Sequence, residues 1–370
     1  MKNKIKLEVY FPGNGLIQIF NRSGLEKIRM RSKVYLKYFS NIFMLSFGRL
    51  PEARLRFHRR IKILNNKINF PKWIYIFIFP FIHYRYLKKV DIIEARQISA
   101  GLIGLYLKLF LCKPLIIRCG YDWVEFADLG NRYFEKIFSK VISYFVYNFS
   151  DILYVTSARH REQVLKYGIN PGKVHYISNA VDIEKFKPGL STEEGLLISA
   201  GRLEHQKNYM NLLLALENFP YEYKLLIFGN GRYKRRLENL IRAKNLNVKL
   251  MGNLPTDELI TYLQKSYIFI LPSYWEGNSN ALIEAVSSGC SIIASDIEAN
   301  KEIIQDKISG ILCKTDSQNI REKLIYLFNN NQIREELKKN ARISALKNFN
   351  SEDIHSRISN IMQERLRENG

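Results

Sequence analysis

Short aliphatic runs alternate with longer amphipathic segments along the whole chain, so the apolar period switches repeatedly between that of a strand and that of a helix. In the first half, the runs at 5–11, 42–46, 91–94, 114–118, 152–156 and 174–177 predict strands. Between them, 24–39, 99–111, 132–149 and 159–167 predict helices. In the second half, strands are predicted at 195–200, 224–228, 248–251, 268–271, 291–294 and 310–312. The intervening helices fall at 209–217, 232–244, 256–265, 281–288 and 317–327. Strands alternating with helices of this length are the mark of parallel-sheet α/β units. The reading is two consecutive doubly wound domains. The polar stretch 182–194 carries Pro188-Gly189 and no apolar period, and so marks their boundary. A mixed-charge segment at 352–368 predicts a last helix.

Composition narrows the class. The 370 residues suit two domains, and 46% hydrophobic with 25% charged residues excludes wholesale disorder. The net charge of +22 is unevenly divided: residues 1–190 hold 33 Lys and Arg against 13 Asp and Glu, whereas 191–370 hold 24 against 22. The two halves therefore face different partners. From Arg22 to Lys89 there are 17 cations and two acids, beside the aromatic-rich segment KWIYIFIFPFIHYRYLKK. Cations with Trp and Tyr at the edge of an apolar stretch suit an anionic membrane leaflet. The bland alternatives are a solvated basic face and a helix buried against a sheet. The same charge would also bind nucleic acid nonspecifically, but no recognised nucleic-acid motif accompanies it. The apolar run from Trp73 to Ile82 covers about half the ~20 residues needed to span a bilayer. The N-terminus lacks a signal-peptide core, since Glu8 interrupts it. Cys112, Cys119, Cys290 and Cys313 show no metal-ligand spacing and read as buried thiols in a reducing cytosol; no metal site is expected.

The most informative block is SAGRLEHQKN at 199–208, directly after a strand. Gly201 lets the chain approach a ligand closely, and Arg202 and Lys207 offer a guanidinium fork and a point charge that suit a diphosphate at a strand–helix junction. Two ordinary surface cations are the bland reading. A second block, PSYWEGNSNALIEAVSSG at 272–289, sets Glu276 before the polar loop Gly277, Asn278, Ser279 and Asn280. A helix then opens with Ser279 or Asn280 as its N-cap, a place where phosphate is stabilised. Glu276 and Glu284 are eight residues apart, too far around a helix for a shared-proton dyad, so one could grip a ribose and the other a sugar. LIFGNG at 226–231 ends a strand on Gly229 and Gly231, without a full dinucleotide fingerprint. The absence of P-loop, H-E-x-x-H and G-x-S-x-G patterns argues against an NTPase, a zinc protease and an α/β-hydrolase.

GRLEHQKN, LIFGNG, MGNLPTDELITYLQKS, ILPSYWEGNSNALIEA and SGCSIIASD, in this order over 195–311, resemble the retaining GT-B glycosyltransferases of the family-4 type, glycosyl transferases group 1. Weaker agreement runs over 151–188, and residues 1–120 match only as a generic α/β half-domain. The resemblance implies a GT-B fold of two Rossmann-like domains facing a cleft: 1–185 binding the acceptor, 190–345 binding the donor, and 346–370 as a helix that can return to the first domain. It implies transfer of a hexose or N-acetylhexosamine from a nucleotide-sugar, a UDP-sugar first. The acceptor would be lipid-linked or polysaccharide, in capsule, lipopolysaccharide or O-antigen synthesis on the inner face of the membrane. A GDP-mannose-dependent mannosyltransferase is the alternative within the fold; a basic nucleic-acid-binding or non-catalytic binding protein is the alternative outside it. Arg202 and Lys207 would hold the diphosphate, Glu276 the donor sugar, and Glu284 the ribose. The base would rest near Gly229 and the loop 252–254. No metal or other cofactor is implied. The family's His-Gly pair is replaced here by Cys119-Gly120, and its usual Asn-Gly by Asn179-Ala180. Gly13, in the reduced glycine loop 12–15, could still admit a donor phosphate, and Asp122 and Glu125 are candidate acceptor contacts whose bland reading is structural caps.

Overall fold

In a computed structural model of the chain, residues 4–9, 22–47, 58–66, 70–120, 123–124 and 133–368 are described. Gly13, Asp122 and Glu125 lie outside them. The chain forms two compact units: Met1–Ser178 with Glu352–Gly370, and Asn179–Ser351.

The first unit is built on seven parallel strands: β1 (Ile5–Val9), β2 (Asn41–Ser46), β3 (Ile61–Asn65), β4 (Ile92–Arg96), β5 (Leu115–Cys119), β6 (Ile152–Val155) and β7 (Val174–Tyr176). Their spatial order is β3-β2-β1-β4-β5-β6-β7. One face is apolar: Leu7, Val9, Ile93, Ala95, Leu115 and Ile117 pack against helix Ile98–Leu111. That helix lies close, since a Cβ on Gly104 would sit 2.7 Å from the Leu115 side chain. The opposite face is charged, because the alternating residues Lys6 and Glu8 of β1 and Glu94 of β4 are fully buried there. Helix Arg22–Tyr38 and the final helix Ser351–Glu368 contact this side. Tyr35 meets His355 edge-on at 5.5 Å, and Arg365 pairs with Asp151 of the first unit at 3.0 Å.

The second unit repeats the plan with β8 (Leu196–Ala200), β9 (Lys224–Phe228), β10 (Val248–Gly252), β11 (Ile268–Leu271), β12 (Ile292–Ser295) and β13 (Ile311–Cys313) in the order β10-β9-β8-β11-β12-β13. All pairs are parallel. Both faces are apolar, as strands covered by helices on two sides require. Both sheets therefore have the doubly wound Rossmann order, with topological switch points between β1 and β4 and between β8 and β11.

Among the elements that go beyond the predicted strands and helices are one strand and two long helices. β3 was hidden in a basic stretch, where only Ile61, Ile63 and Leu64 are apolar and buried. Helix Lys72–Ile82 carries no capping side chain and an internal Pro80. Helix Asn331–Asn348 packs through Leu337, Ala341 and Ala345, a stripe too small to register in a largely polar segment. The division between units comes at residues 178 and 179, ahead of the polar stretch 182–194, because Val181, Ile183 and Phe186 join the second core.

Candidate functional site

At the second unit's switch point the chain leaves β8 through Gly201 and leaves β11 through Pro272. Gly201 is glycine for a steric reason: a Cβ there would lie 2.8 Å from Cε of Lys207 and 3.1 Å from the Tyr209 hydroxyl. The lysine stem thus runs across the glycine. The one-turn 3-10 helix His205–Lys207 ends on Asn208, which adopts φ 55° and donates from Nδ2 to the carbonyls of Pro272 and Thr315. Asn tolerates this left-handed conformation well, and its two bonds fix the lysine's backbone to the neighbouring strand ends.

The centre of the site is an ion pair. Lys207 Nζ lies 2.5 Å from Glu276 Oε1, with both side chains more than nine-tenths buried. Ser273 Oγ donates to the same oxygen at 2.6 Å. The ammonium has three donors, so two remain for other acceptors. Arg202 is exposed and stands outside this pair; it donates to Gln206 Oε1 at 3.3 Å, and Gln206 Nε2 donates to the Trp275 carbonyl at 2.8 Å. One loop is therefore tied to the other by Gln206 and by Lys207. His205 stacks on Tyr274 with centroids 4.9 Å apart.

Helix Asn280–Ser287 begins beside Glu276, and Ser279 is its N-cap, accepting from Leu282 N at 3.4 Å. The cap occupies the Ser279 hydroxyl. Asn278 is also engaged: its Oδ1 accepts from Asn179 N, and its carbonyl accepts from Asn179 Nδ2, both at 2.9 Å. These two loop residues shape the helix entrance with their side chains. The loop also offers a ligand backbone at the positive end of the helix dipole, with the exposed Asn280 beside it. Glu284 is buried on the first turns of the same helix.

Gly229 and Gly231 have their own steric explanation. A Cβ on Gly229 would fall 2.0 Å from the Gly201 carbonyl oxygen, and one on Gly231 would fall 2.3 Å from that of Leu203. The loop after β9 supports the loop that carries Arg202, and hydrogen bonds from Gly201 N to Phe228 O and from Leu203 N to Asn230 O join them.

Of the residues singled out from sequence, Lys207 and Glu276 are brought into contact, while Gly201, Gly229 and Gly231 set the loops around them. Asn278 and Ser279 support the entrance through their side chains. Ser273, Gln206 and Asn208 were not singled out; all three lie inside the two quoted blocks, and Asn beside a loop lysine is a left-handed-turn signal. Among the described residues, no group of three His, Cys, Asp or Glu could hold a metal ion. Burial pushes the Cys290 and Cys313 thiols up to about 12, so neither is a nucleophile.

The family described as "Glycosyl transferases group 1" matches residues 181–344, and "Glycosyltransferase Family 4" matches residues 38–185. A Campylobacter jejuni protein, N-acetylgalactosamine-N,N'-diacetylbacillosaminyl-diphospho-undecaprenol 4-alpha-N-acetylgalactosaminyltransferase, is 28% identical over 50% of this chain and 53% of its own length. The Staphylococcus aureus capsular polysaccharide biosynthesis glycosyltransferase CapH is 30% identical over 62% of this chain and 66% of its own. The Escherichia coli UDP-Gal:alpha-D-GlcNAc-diphosphoundecaprenol alpha-1,3-galactosyltransferase is 24% identical over 72% and 74%. The chain thus spans about half the length of the first of these relatives and just under two thirds of the second. Among solved structures, sucrose-phosphate synthase from Thermosynechococcus elongatus shares the fold with a TM-score of 0.79, at 17% identity, over 99% of this chain and all of the other.

Proposed function

This chain belongs to the group 1 glycosyltransferases of the family-4 type, and from that premise we propose that it moves a hexose or N-acetylhexosamine from a UDP-sugar to a lipid-linked acceptor in cell-surface glycan synthesis. The observation that carries the reading is the Lys207–Glu276 pair at the switch point of the second sheet, beside the capped end of helix Asn280–Ser287. Open α/β sheets bind ligands at such points, and this one combines a cation, a carboxylate and a helix N-terminus.

In this reading the nucleoside diphosphate lies across the two loops. Lys207 directs its remaining N–H donors at the diphosphate, and exposed Arg202 closes on it from outside. As the bond from the anomeric carbon to the diphosphate oxygen breaks, negative charge collects on the leaving group and both cations stabilise it. The acceptor hydroxyl oxygen bonds to the anomeric carbon on the same face, its proton passing to the departing phosphate oxygen, so configuration is retained. Glu276, with Oε1 held by Lys207 and Ser273, turns its other oxygen toward the sugar hydroxyls, and Glu284 takes the ribose.

Two of the three relatives described above are named for acceptors that carry diphospho-undecaprenol, and one of these names a UDP-sugar donor. The first unit has a surface suited to such an acceptor's membrane. On helix Lys72–Ile82, Tyr75 and Phe79 are buried, whereas Trp73, Phe77 and Phe81, spaced four apart, are 68%, 65% and 67% exposed. Helix Tyr133–Phe149 likewise exposes Phe138, Phe145 and Phe149. Beside the basic excess of this half, these rings favour a peripheral seat on an anionic inner leaflet. No helix among the described residues is long and apolar enough to cross a membrane. The test is incubation with a panel of UDP-sugars and an undecaprenyl-diphosphate-linked saccharide. One donor is expected to give a lengthened lipid-linked product with the donor's anomeric configuration; an inverted product would refute retention, and no transfer from any UDP-sugar with turnover of GDP-mannose would refute the donor class.

A further inference from the structure

The first unit has a second charged constellation, and it stands at that sheet's own switch point. Glu8 of β1 is held by Arg31 at 2.8 Å and Lys6 at 3.2 Å. Glu94 of β4 is held by Lys6 and by Arg96, the latter at 2.9 Å. Burial pushes the Glu8 and Glu94 carboxyls up, but the surrounding cations outweigh it and hold both below the ordinary value. Both carboxylates are therefore charged, and the two of them face four cations: Lys6, Arg31, Arg96 and Arg118.

Arg118 is the one of the four that makes no direct ion pair among the described residues. It lies one residue from the end of β5, half-buried, opposite Arg96 in the ladder. Its side chain makes no hydrogen bond or ion pair among the described residues, and its charged neighbours are the arginines Arg96 and Arg31 and one acid, Glu94. Burial, then Arg96, lower its pKa from the ordinary guanidinium value against the opposing pull of Tyr35 and Glu94. Tyr35, fully buried beside it, has a hydroxyl with no partner. Glu8 and Glu94 offset two of the four cations, so the cluster keeps an excess of two positive charges, and a further anion would relieve the repulsion among its guanidiniums. Gln97, which follows β4 and precedes helix Ile98–Leu111, adopts φ 73° and ψ 155°, a region that favours glycine, and its Oε1 accepts from Gly120 N at 3.2 Å.

We infer that Arg118, Arg96 and the Tyr35 hydroxyl form an anion site in the first domain, and that it takes the diphosphate of the lipid-linked acceptor. The anion site stands on the cluster's own charge and geometry; only its assignment to the acceptor rests on the functional reading above. Arg118 supplies a two-pronged donor, which fits adjacent phosphate oxygens. Its place at the end of β5, one strand from the switch point, puts it where this sheet type receives ligands.

The test is calorimetric titration of the full chain with inorganic pyrophosphate. Wild type is expected to bind at two sites, one in each domain, and Arg118→Gln to bind at one. Arg118→Lys keeps the charge but not the fork, and is expected to weaken the first-domain site by roughly tenfold. If the donor-site reading is wrong, wild type shows a single site, which Arg118→Gln still removes. Unchanged stoichiometry and affinity in Arg118→Gln would overturn the anion site. So would a large drop in its melting temperature, because an unmatched cation lost from a repulsive cluster should leave stability equal or higher. Phosphatidylcholine vesicles with and without undecaprenyl diphosphate separate the lipid from the free anion. Wild type should bind better when the lipid diphosphate is present, and Arg118→Gln should not. A full gain in Arg118→Gln would overturn the assignment to the acceptor.

Discussion

The two sheets share one strand order but place their charges differently. In the second unit the strands are apolar on both faces, and charge sits on the loops beyond their ends, as a balanced pair, Lys207 and Glu276. In the first unit charge sits on the strands themselves, buried under two helices and in cationic excess. Loop charges can meet a ligand and release it without disturbing the core. Strand charges are part of the core, so their electrostatics are bound up with folding. The comparison teaches that one architecture can build one domain as an apolar platform with its paired charges on the loops above it and another whose stability depends on its charge balance.

The sharpest way to break this contrast is to remove one acid from the first domain. Glu8→Gln leaves Arg31 and Lys6 without their shared partner, and is expected to destabilise that unit by about 3–5 kcal/mol, as breaking a buried pair does. Urea unfolding of the two proteins measures it; a difference below about 1 kcal/mol would place the cluster among weak, solvent-screened pairs. The pH dependence has a fixed sign. Glu8 and Glu94 are more acidic folded than unfolded, so their stabilisation is present above the ordinary carboxylate value and is lost as pH falls through the folded values. Glu8→Gln should flatten the acid side of the stability curve.

The corresponding change in the second domain should act on chemistry. Lys207→Ala is expected to lower kcat/KM by about 10²–10³, the effect of deleting one donor aimed at developing charge. Circular dichroism separates this from misfolding, and near-normal turnover in a folded variant would remove Lys207 from the site. A smaller effect belongs to the loop support. Gly231→Ala forces a Cβ against the Leu203 carbonyl, and should cost about 1–3 kcal/mol of stability with weaker donor binding, because the Arg202 loop must shift. Gly168→Ala, in the first unit, meets no neighbouring atom but strains a backbone at φ 73°, and should lower stability while leaving donor binding unchanged. The smallest effects belong to the membrane face. Arg59 and Arg60 are each expected to contribute about 1 kcal/mol to binding of anionic vesicles and nothing to donor binding. Equal losses in both assays would contradict a membrane face there. Arg56, in the same basic cluster, lies outside the described residues.

The same contrast decides what was legible in the sequence. The strand–helix alternation and most element positions could be read from periodicity, because each β8–β13 strand is a compact apolar run. The second-domain candidate residues could be picked out because they lie on short loops, where Gly201, Lys207 and Glu276 have no apolar pattern to obscure them, and the fold brings Lys207 and Glu276 into contact. The first-domain cluster could not. Lys6 and Glu8 alternate with Leu7 and Val9 as in any half-exposed strand, and only the covering helices, one of them arriving from residues 351–368, reveal that both faces are buried. The rings of helix Lys72–Ile82 read either as core or as membrane face, and the fold divides them, with Tyr75 and Phe79 inside and Trp73, Phe77 and Phe81 outside. The ion pair between residues 69 positions apart, and the use of Asn278 to hold Asn179, are matters of tertiary geometry that no spacing encodes.

The central claim is that the second-domain constellation binds a nucleoside-diphosphate sugar through its ribose and diphosphate. Its most direct test is a thermal-shift panel of UDP, GDP, ADP and CMP on the wild type and on Glu284→Ala. At 100 times its dissociation constant a ligand stabilises the native state by about 2.7 kcal/mol. The account predicts that UDP raises the melting temperature of the wild type and leaves that of Glu284→Ala nearly unmoved. An equal UDP shift in both proteins would contradict it.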